Sequence, residues 1–487
     1  MKIPKEAKSA VEKLNKAGFE AFLVGGCVRD FLRDIEPEDW DVTTNAKPEE
    51  IRKIFPKSFY ENKFLTVTVQ TSSKNEKLKE IEVTTYRFEA KYSDKRHPDE
   101  IRFAKNIEED LARRDFTVNA MALEFQKSKI KTIDLFEGKK DLEKKIIRTV
   151  GQPEERFSED ALRMLRAVRF SATLGKNWEI EEKTAQAIKK NAFWLSAISK
   201  ERIRDELNKI MMSESAAQGI ELLRELGLLK YIIPELEEGY KIGQNKHHIF
   251  DCYEHYLKSL EYAAKKNFNK YVRWASLLHD IGKPRTKKGN GPDSTFYNHE
   301  VVSAKMAVQI LERLKFPHQE IEKITRLVRY HLFYYNPGEV GESSVRRLIS
   351  KVGPKNLEEL LQVRMSDRIG SGVPKAEPYK LRHMKYVIEK VSQDPISTRM
   401  LKVNGNDLMK ILSIPPGPKV GKILDILLAE VLDDPEKNKK EFLGKEIKKL
   451  GSLPDSEIEK LDQKARAKRE KIETKRDEMS KKKYWLT

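Results

Sequence analysis

The sequence predicts an α+β protein, with a small mixed-sheet domain in front and a long all-helical remainder behind it. Three observations carry that prediction. Runs of strand composition are confined to the first ~150 residues. From Glu154 onward the apolar positions follow a helical period. The chain has 487 residues, which at ~100–200 residues per domain suggests three or four domains and several cores.

Each element has its own signal. The start, MKIPKEAKSAVEKL, alternates charged and apolar groups every three or four residues, as an amphipathic helix does, and lacks the apolar centre of a signal peptide. EAFLVGG (20–26) reads as a buried strand ending in a glycine pair, with a helix from Val28. EDWDVT (38–43) reads as a second strand and KPEEIRKIF (47–55) as a helix. TVTVQ (66–70) and IEVTTYR (81–87) are β-rich runs separated by the polar turn SSKNEK, and KIKTIDLF (129–136) is placed to close the sheet. LRMLRAVRF, EEKTAQAIKK and ERIRDELNKIM then read as helices. Residues 245–370 are helical and rich in histidine, and 375–450 carry further helices around the loop IPPGPKVG. From Asp455 there are 11 basic and 8 acidic residues with few apolar ones, which reads as an exposed, partly frayed helix without a core of its own. The expected domains are 1–152, 153–240, 241–372, 373–454 and a charged tail, 455–487.

Composition narrows the function classes. Lys plus Arg number 95 against 77 Asp plus Glu, a net charge of +18, with 39% hydrophobic residues. These values exclude a chain disordered throughout, and no apolar run reaches the ~18 residues of a membrane span. The charge suits a polyanionic partner, and a lysine-rich solvated surface accounts for it as well. Two cysteines, Cys27 and Cys252, cannot build a disulfide framework, so a reducing, cytoplasmic home is expected.

Two motifs carry chemistry in the front half. GGCVRD (25–30) sets Gly25 and Gly26 between a strand and a helix, where backbone amides can approach a phosphate and Arg29 can reach the same anion. Asp39 and Asp41 follow. On a strand, i and i+2 share a face, so the two carboxylates repel unless a cation lies between them, and oxygen ligands suit Mg²⁺. Glu82 is a candidate third carboxylate, although an exposed strand Glu is the simpler reading. Farther on, Asp160, Arg163, Arg166 and Arg169 recur every third residue and trace a slanted stripe on a helix. Asp160 with Arg163 offers acceptors and donors together, as reading the edge of a base requires.

LVGGCVRD, EDWDVTT and RRDFTVNAMA (113–122) together resemble the head domain of class II tRNA nucleotidyltransferases, the family of CCA-adding enzymes and bacterial poly(A) polymerases. Further blocks match in order: Asp134, Gly138 and Arg148; RFSEDALRMLRAVRF (156–170); and ISKERIRDEL (198–207). YSDKRHPDEIRF (92–103), which contains His97, resembles the family's flexible loop. The resemblance implies two-metal nucleotidyl transfer with Asp39 and Asp41 as catalytic Mg²⁺ ligands. It assigns nucleotide binding to Gly26, Arg29, Arg114 (triphosphate), Asp115 (ribose hydroxyl), Asp160 and Arg163 (base), and Arg166 and Arg169 (triphosphate or primer).

A second constellation follows. Seven of the nine histidines fall between 247 and 331. A mixed His and Asp set suits a divalent metal. The order H…HD…H…H…D resembles the HD phosphohydrolase superfamily. That resemblance implies His255, His279, Asp280 and Asp367 as metal ligands, with Ni²⁺, Mn²⁺ or Mg²⁺ as the ion. His299 and His331 would be the extra ligands of two-metal members, and Lys283 would assist the phosphate. The order of modules resembles bacterial CCA-adding enzymes, in which the HD domain is implied to hydrolyse cyclic phosphates, 2′-nucleotides or phosphate esters. His247, His248 and His318 read as polar surface or capping residues. VNGNDLMKILSIPPGPKVGKIL (403–424) resembles the module with which those enzymes grip the tRNA body.

The expected activity is therefore template-independent addition of CCA to tRNA 3′ ends from CTP and ATP. The expected partners are tRNA, CTP and ATP, without a membrane, for a monomer or homodimer. The alternatives are an A-adding or CC-adding partial enzyme, a poly(A) polymerase, or an HD phosphohydrolase whose head only binds RNA. The full loop from Arg87 to Phe103 argues against CC addition alone.

Overall fold

The computed structural model describes residues 2–61, 66–90, 100–126, 129–245, 249–392 and 397–486. The chain divides into two compact units, residues 1–332 with 358–376, and residues 333–357 with 377–487. Among the described residues no helix is long and apolar enough to cross a membrane.

The first unit begins with the sheet. Its strands are β1 (Ala21–Val24), β2 (Asp41–Thr44), β3 (Ser58–Glu61), β4 (Thr66–Gln70), β5 (Glu80–Thr85), β6 (Arg87–Ala90), β7 (Glu100–Phe103), β8 (Met121–Gln126) and β9 (Lys129–Asp134). Seven of them form one mixed sheet in the order β3-β4-β5-β2-β1-β8-β9, with β2 parallel to β5 and the other neighbours antiparallel. β6 and β7 make a separate antiparallel hairpin. Most of the expected flexible loop, with His97, lies outside the described residues. The first helix, Lys5–Lys16, buries Ala7, Ala10, Val11 and Leu14, the face that its i, i+3, i+4, i+7 spacing predicts.

Two expectations here shift. The helix expected from Val28 starts at Gly26, because Gly25 already takes the N-cap position. The strand expected at 38–43 starts at Asp41, the residue that pairs with Val24 at the end of β1. KIKTIDLF completes the sheet at its edge as β9, as expected, and pairs with β8, an apolar run for which the sequence predicts no strand.

Apart from a short parallel pair of strands, Ile146–Ile147 with Glu179–Ile180, the described rest of this unit is mostly helical. Pro153–Glu159, Leu162–Thr173, Lys200–Met212 and Ala216–Glu225 follow the sheet, and Cys252–Lys265, Lys270–Leu278, His299–Arg313 and His318–Tyr330 follow those. His318 is exposed in the first turn of the last of these, and His247 and His248 lie outside the described residues.

In the second unit, the segment 333–357 leaves the expected 241–372 domain. Its helix Glu342–Val352 packs on Tyr379–Ser392 around Val345, Tyr386 and Val387. A larger core collects Leu408, Ile423, Leu427, Leu443, Ile447 and Ile458. The charged tail is not frayed. It forms the 29-residue helix Asp455–Lys483, which buries Ile458 and Ala465 in the larger core, with Leu461 and Ile472 packed against it. Beyond the helix, Tyr484 and Leu486 pack on the Val345 cluster. So few apolar residues give the tail a weak amphipathic signal, yet they suffice to seat it on two cores.

Candidate active site and candidate metal centre

Three carboxylates meet where β2 and β5 run side by side. Asp41 opens β2 and pairs in register with Glu82 of β5, so the third carboxylate arrives by strand pairing. Asp39 sits just before the strand and is exposed. Partial burial, then the charges of Asp39 and Glu82, push the Asp41 carboxyl up to about 7, against the pull of Arg114. A carboxylate cluster that strongly lacks positive charge fits a divalent cation.

The glycine pair divides its labour differently from the expectation. Gly25, not Gly26, carries the conformational demand, with φ +79°. A Cβ on Gly25 would lie 2.9 Å from Arg114 Nη1 and 3.6 Å from Asp41 Oδ2, whereas one on Gly26 would make only ordinary contact. The bare backbone of Gly25 therefore lies against both an arginine and a carboxylate of the site. Cys27, beside it, is buried, and burial with the nearby Asp41 charge pushes its thiol up to about 12, so it stays an inert thiol.

Arginines gather beside this cluster. Arg166 donates through Nε and Nη2 to Asp115 Oδ2 at 2.8 and 2.6 Å, while Phe116 N–H and Asn119 Nδ2 donate to Oδ1 at 2.8 and 3.3 Å. Burial would raise the Asp115 carboxyl, but the Arg166 charge outweighs it and holds the group at about 2. Four donors fill the acceptor positions of Asp115, so in this structure it orients Arg166. Arg29 donates to Asn119 Oδ1 at 2.8 Å and to Asp30 at 2.9 and 2.7 Å. The guanidiniums of Arg29, Arg166 and Arg169 lie 5.5, 5.5 and 3.7 Å from the ring of buried Phe170, and Arg169 also pairs with Glu206 at 2.6 Å. Arg114 pairs with buried Asp110 at 3.4 Å.

The expected stripe is broken at its first member. Asp160 is not on the helix of the three arginines. Its backbone is extended (φ −141°, ψ 105°), and its Oδ1 accepts the N–H of Leu162 at 3.0 Å, capping the helix Leu162–Thr173. A side chain that caps a helix cannot also continue it. Arg202 donates to the same carboxylate at 3.3 and 2.7 Å. Arg163 is buried and bonds Glu159 and the carbonyls of Arg156 and Arg113. Arg202, Asn119 and Glu206 therefore belong to the site as well. Each lay inside a quoted block, but only the fold shows which charge it meets.

The spaced Asp134, Gly138 and Arg148 act as a clamp. Asp134 accepts the N–H groups of Gly138 and Lys139, a Cβ on Gly138 would lie 2.2 Å from the carbonyl oxygen of Thr117, and Arg148 bonds Asp141 at 2.8 Å. Asp141 in turn accepts from Thr117 at 2.6 Å. This pins the turn that follows Asp115.

The second centre lies in the helical part of the same unit. His255 comes from Cys252–Lys265, His279 and Asp280 directly follow Lys270–Leu278, and Asp367 lies on Leu357–Gly370. One donor atom from each of these four buried residues lies within 4.8 Å of the others, and Asp280, His299 and His331 form a second such set. Asp280 serves both. Its Oδ2 is 3.0 Å from His255 Nε2 and 3.3 Å from His279 Nε2, and its Oδ1 is 3.1 Å from His299 Nε2 and 3.3 Å from His331 Nε2.

The ring orientations are fixed from behind. His279, His299 and His331 donate through Nδ1 to the carbonyls of Ser276, Phe296 and Val328 at 2.9, 2.7 and 2.7 Å. That leaves each Nε2 lone pair facing inward, as metal ligation requires. Burial alone would deprotonate His279, but Asp280 and Asp367 push it up to about 10. Either a proton or a metal ion at His279 Nε2 would supply the positive charge that the carboxylates demand. Lys283 Nζ is 2.7 Å from Asp280, and Arg364 Nη1 is 2.6 Å from Asp367. A cavity of about 590 Å³ opens on this centre, lined also by Asn245, Ser294, Tyr297 and Arg368.

Residues 21–148 match the poly A polymerase head domain, 177–239 an RNA and SrmB-binding site of polymerase A, and 296–447 tRNA nucleotidyltransferase domain 2. His255, His279 and Asp280 fall between the second and third matches. The CCA-adding enzyme of Ligilactobacillus salivarius is 34% identical over 92% of this chain and 98% of its own length. An A-adding tRNA nucleotidyltransferase of Deinococcus radiodurans is 33% identical over 84% of this chain and 90% of its own. The crystal structure of the Bacillus stearothermophilus CCA-adding enzyme in complex with CTP superposes with a TM-score of 0.61 and 29% identity, over 92% of this chain and 98% of that one. Glycine turn, carboxylates and arginine cluster all lie within the matched span of these relatives, and the chain belongs to the class II tRNA nucleotidyltransferases, the family of bacterial CCA-adding enzymes and poly(A) polymerases.

Proposed function

We propose that the chain completes tRNA 3′ ends with CCA, using CTP and ATP, and that the residues around β2 carry out the transfer. The observation that supports this most directly is the carboxylate cluster of Asp39, Asp41 and Glu82 beside the arginines around Phe170. In this reading Asp39 and Asp41, helped by Glu82, hold Mg²⁺, which when bound activates the 3′-hydroxyl and offsets triphosphate charge. Arg114, against Gly25, and Arg29 with Arg169 bind the triphosphate. Asp115 positions Arg166 for the same anion rather than meeting the ribose directly. Asp160 and Arg163 read the base edge, and Arg202 holds the Asp160 carboxylate in place. The protein supplies the template by shape and hydrogen bonding alone. The test uses transcripts ending before CCA, after C and after CC, with CTP and ATP separately and together. Two Cs and one A, then arrest, is expected. Addition only to the CC-ended transcript would make it an A-adding enzyme, like the Deinococcus relative, and long A tails would make it a poly(A) polymerase.

The second centre favours a further reading, metal-dependent phosphoester hydrolysis. Four imidazoles with two carboxylates suit Mn²⁺ or Ni²⁺ better than Mg²⁺, which prefers oxygen donors. His255, His279, Asp280 and Asp367 would hold one ion and Asp280, His299 and His331 another, and bound metal supplies an acidified water. Lys283 and Arg364 orient Asp280 and Asp367. The cavity, lined by these cations and by Arg368, is wide enough for a phosphoester. Hydrolysis of a phosphodiester in Mn²⁺, lost on chelation, is the expected result. No turnover with Mn²⁺, Ni²⁺ or Mg²⁺ would sink this reading and leave the first untouched.

A further inference from the structure

The helix Asp455–Lys483 carries a row of unneutralised charge. Lys460, Lys464, Lys471 and Lys475 are exposed. At about 100° per residue they fall within about 60° of one another and run for about 22 Å along the axis. Glu457 and Glu478 flank the row at its two ends. Among the described residues, no ion pair involves these four lysines. Most other cations of the helix behave differently. Arg466 pairs with Asp462 and Asp425, Lys468 with Asp433, Arg469 with Glu473, Lys481 with Asp477 and Lys483 with Glu389.

This arrangement works against the isolated helix. Lys460 with Lys464, and Lys471 with Lys475, are like-charge i,i+4 pairs, which repel. A polyanion along the row would reverse that cost. The apolar face of the helix is already covered, since Ile458, Ala465, Leu461 and Ile472 belong to the second unit's core. A membrane surface would find charge but no continuous apolar face to insert, only Met479 on the helix and Trp485 beyond its end. A regular line of phosphates asks only for spaced cations on a rigid rod, which is what the helix presents. The row lies beyond residue 447, where the family matches end.

We propose that Lys460, Lys464, Lys471 and Lys475 form a rail for the sugar-phosphate backbone of the double-helical body of the RNA substrate. The inference rests on the reading that this substrate is tRNA. The rail contacts phosphates only, so it adds affinity without base preference and weakens with salt.

The test measures binding of a tRNA transcript lacking CCA by fluorescence anisotropy, between about 50 and 200 mM salt. In the Lys460→Gln/Lys464→Gln/Lys471→Gln/Lys475→Gln variant, the slope of log K against log salt should shrink by about three and affinity should fall at least about tenfold. The corresponding four-arginine variant should keep both. Far-ultraviolet circular dichroism checks the helix. Should the fourfold variant lose it, the two double variants, Lys460→Gln/Lys464→Gln and Lys471→Gln/Lys475→Gln, should each remove about half of the slope change. An unchanged slope with the helix intact overturns the rail, as does an equal loss in the arginine variant. Loss of binding to phosphatidylserine vesicles with tRNA binding intact would also overturn it and assign the row to a membrane. Wild-type protein that adds neither C nor A would instead sink the substrate reading, while normal addition with an unchanged slope sinks the rail alone.

Discussion

The two candidate centres of the first unit solve one electrostatic problem in opposite ways. Around β2, three carboxylates crowd together and Asp41 is left partly protonated, pushed up to about 7. Around Asp280, the carboxylates are answered within the protein by Lys283 and Arg364, and they push His279 up to about 10. The first site is short of a cation and open, which suits an ion that arrives with a nucleotide and leaves with pyrophosphate. The second is buried, braced by three backbone carbonyls, and suits a resident ion. An open site borrows charge with each turnover, whereas a braced one keeps it.

The largest expected effect separates the two centres. Asp41→Ala should lower nucleotide addition by about 10³-fold or more, with tRNA affinity nearly unchanged, because phosphate contacts elsewhere hold the RNA. A matching fall in affinity, read by anisotropy, would show that the carboxylate cluster is not the catalytic one. In the reverse experiment, Asp280→Ala should remove both metal sets at once. Calorimetric Mn²⁺ binding and phosphodiester hydrolysis should vanish while CCA addition continues. Retained Mn²⁺ binding would show that Asp280 is not shared.

A smaller effect tests the base-reading pair. Arg202→Ala should blur the choice between CTP and ATP by about tenfold, as loss of one bidentate contact does, and Asp160→Ala should do the same. The double variant should be no worse than either single one, because both remove one interaction. Additive losses in kcat/KM would separate the two residues.

The smallest effect is on stability. The Asp41 carboxyl titrates near 7 in the folded protein against an ordinary value of 3.8, so the folded state keeps a proton that the unfolded chain has released. Stability of the metal-free protein should therefore fall as pH rises from about 4 to about 7. Mg²⁺ should flatten that fall, since it binds the deprotonated cluster, and Asp41→Asn should abolish it. Thermal melts across that range, with and without Mg²⁺, decide the matter. A slope insensitive to Asp41→Asn would place the titration elsewhere.

Local chemistry made some of this legible in the sequence. Asp39, Asp41 and the arginines of Leu162–Thr173 stood out because spacing alone puts such groups near one another. Asp160 did not behave as spacing suggests, because helix ends are decided by a cap, and a regular three-residue repeat does not reveal one. Glu82 looked like any exposed strand glutamate, since its pairing with Asp41 joins residues 41 positions apart through sheet register. Arg202 needed the folded neck in the same way. The tail misled for a different reason. A helix that buries two apolar side chains and packs two more against the core, in 29 residues, hides its core contacts among charges.

That register also has a consequence for how accurately the first centre is built. Asp41 and Glu82 meet because Val42 and Val83, their neighbours on β2 and β5, are both fully buried and paired with each other. A slip of one residue would turn Val83 out to water and drive Glu82 into the core. No charged group is needed to calibrate the distance between the two carboxylates. Ordinary valines act as the ruler, and a mutation that loosened them would misalign the chemistry without touching any atom that takes part in it.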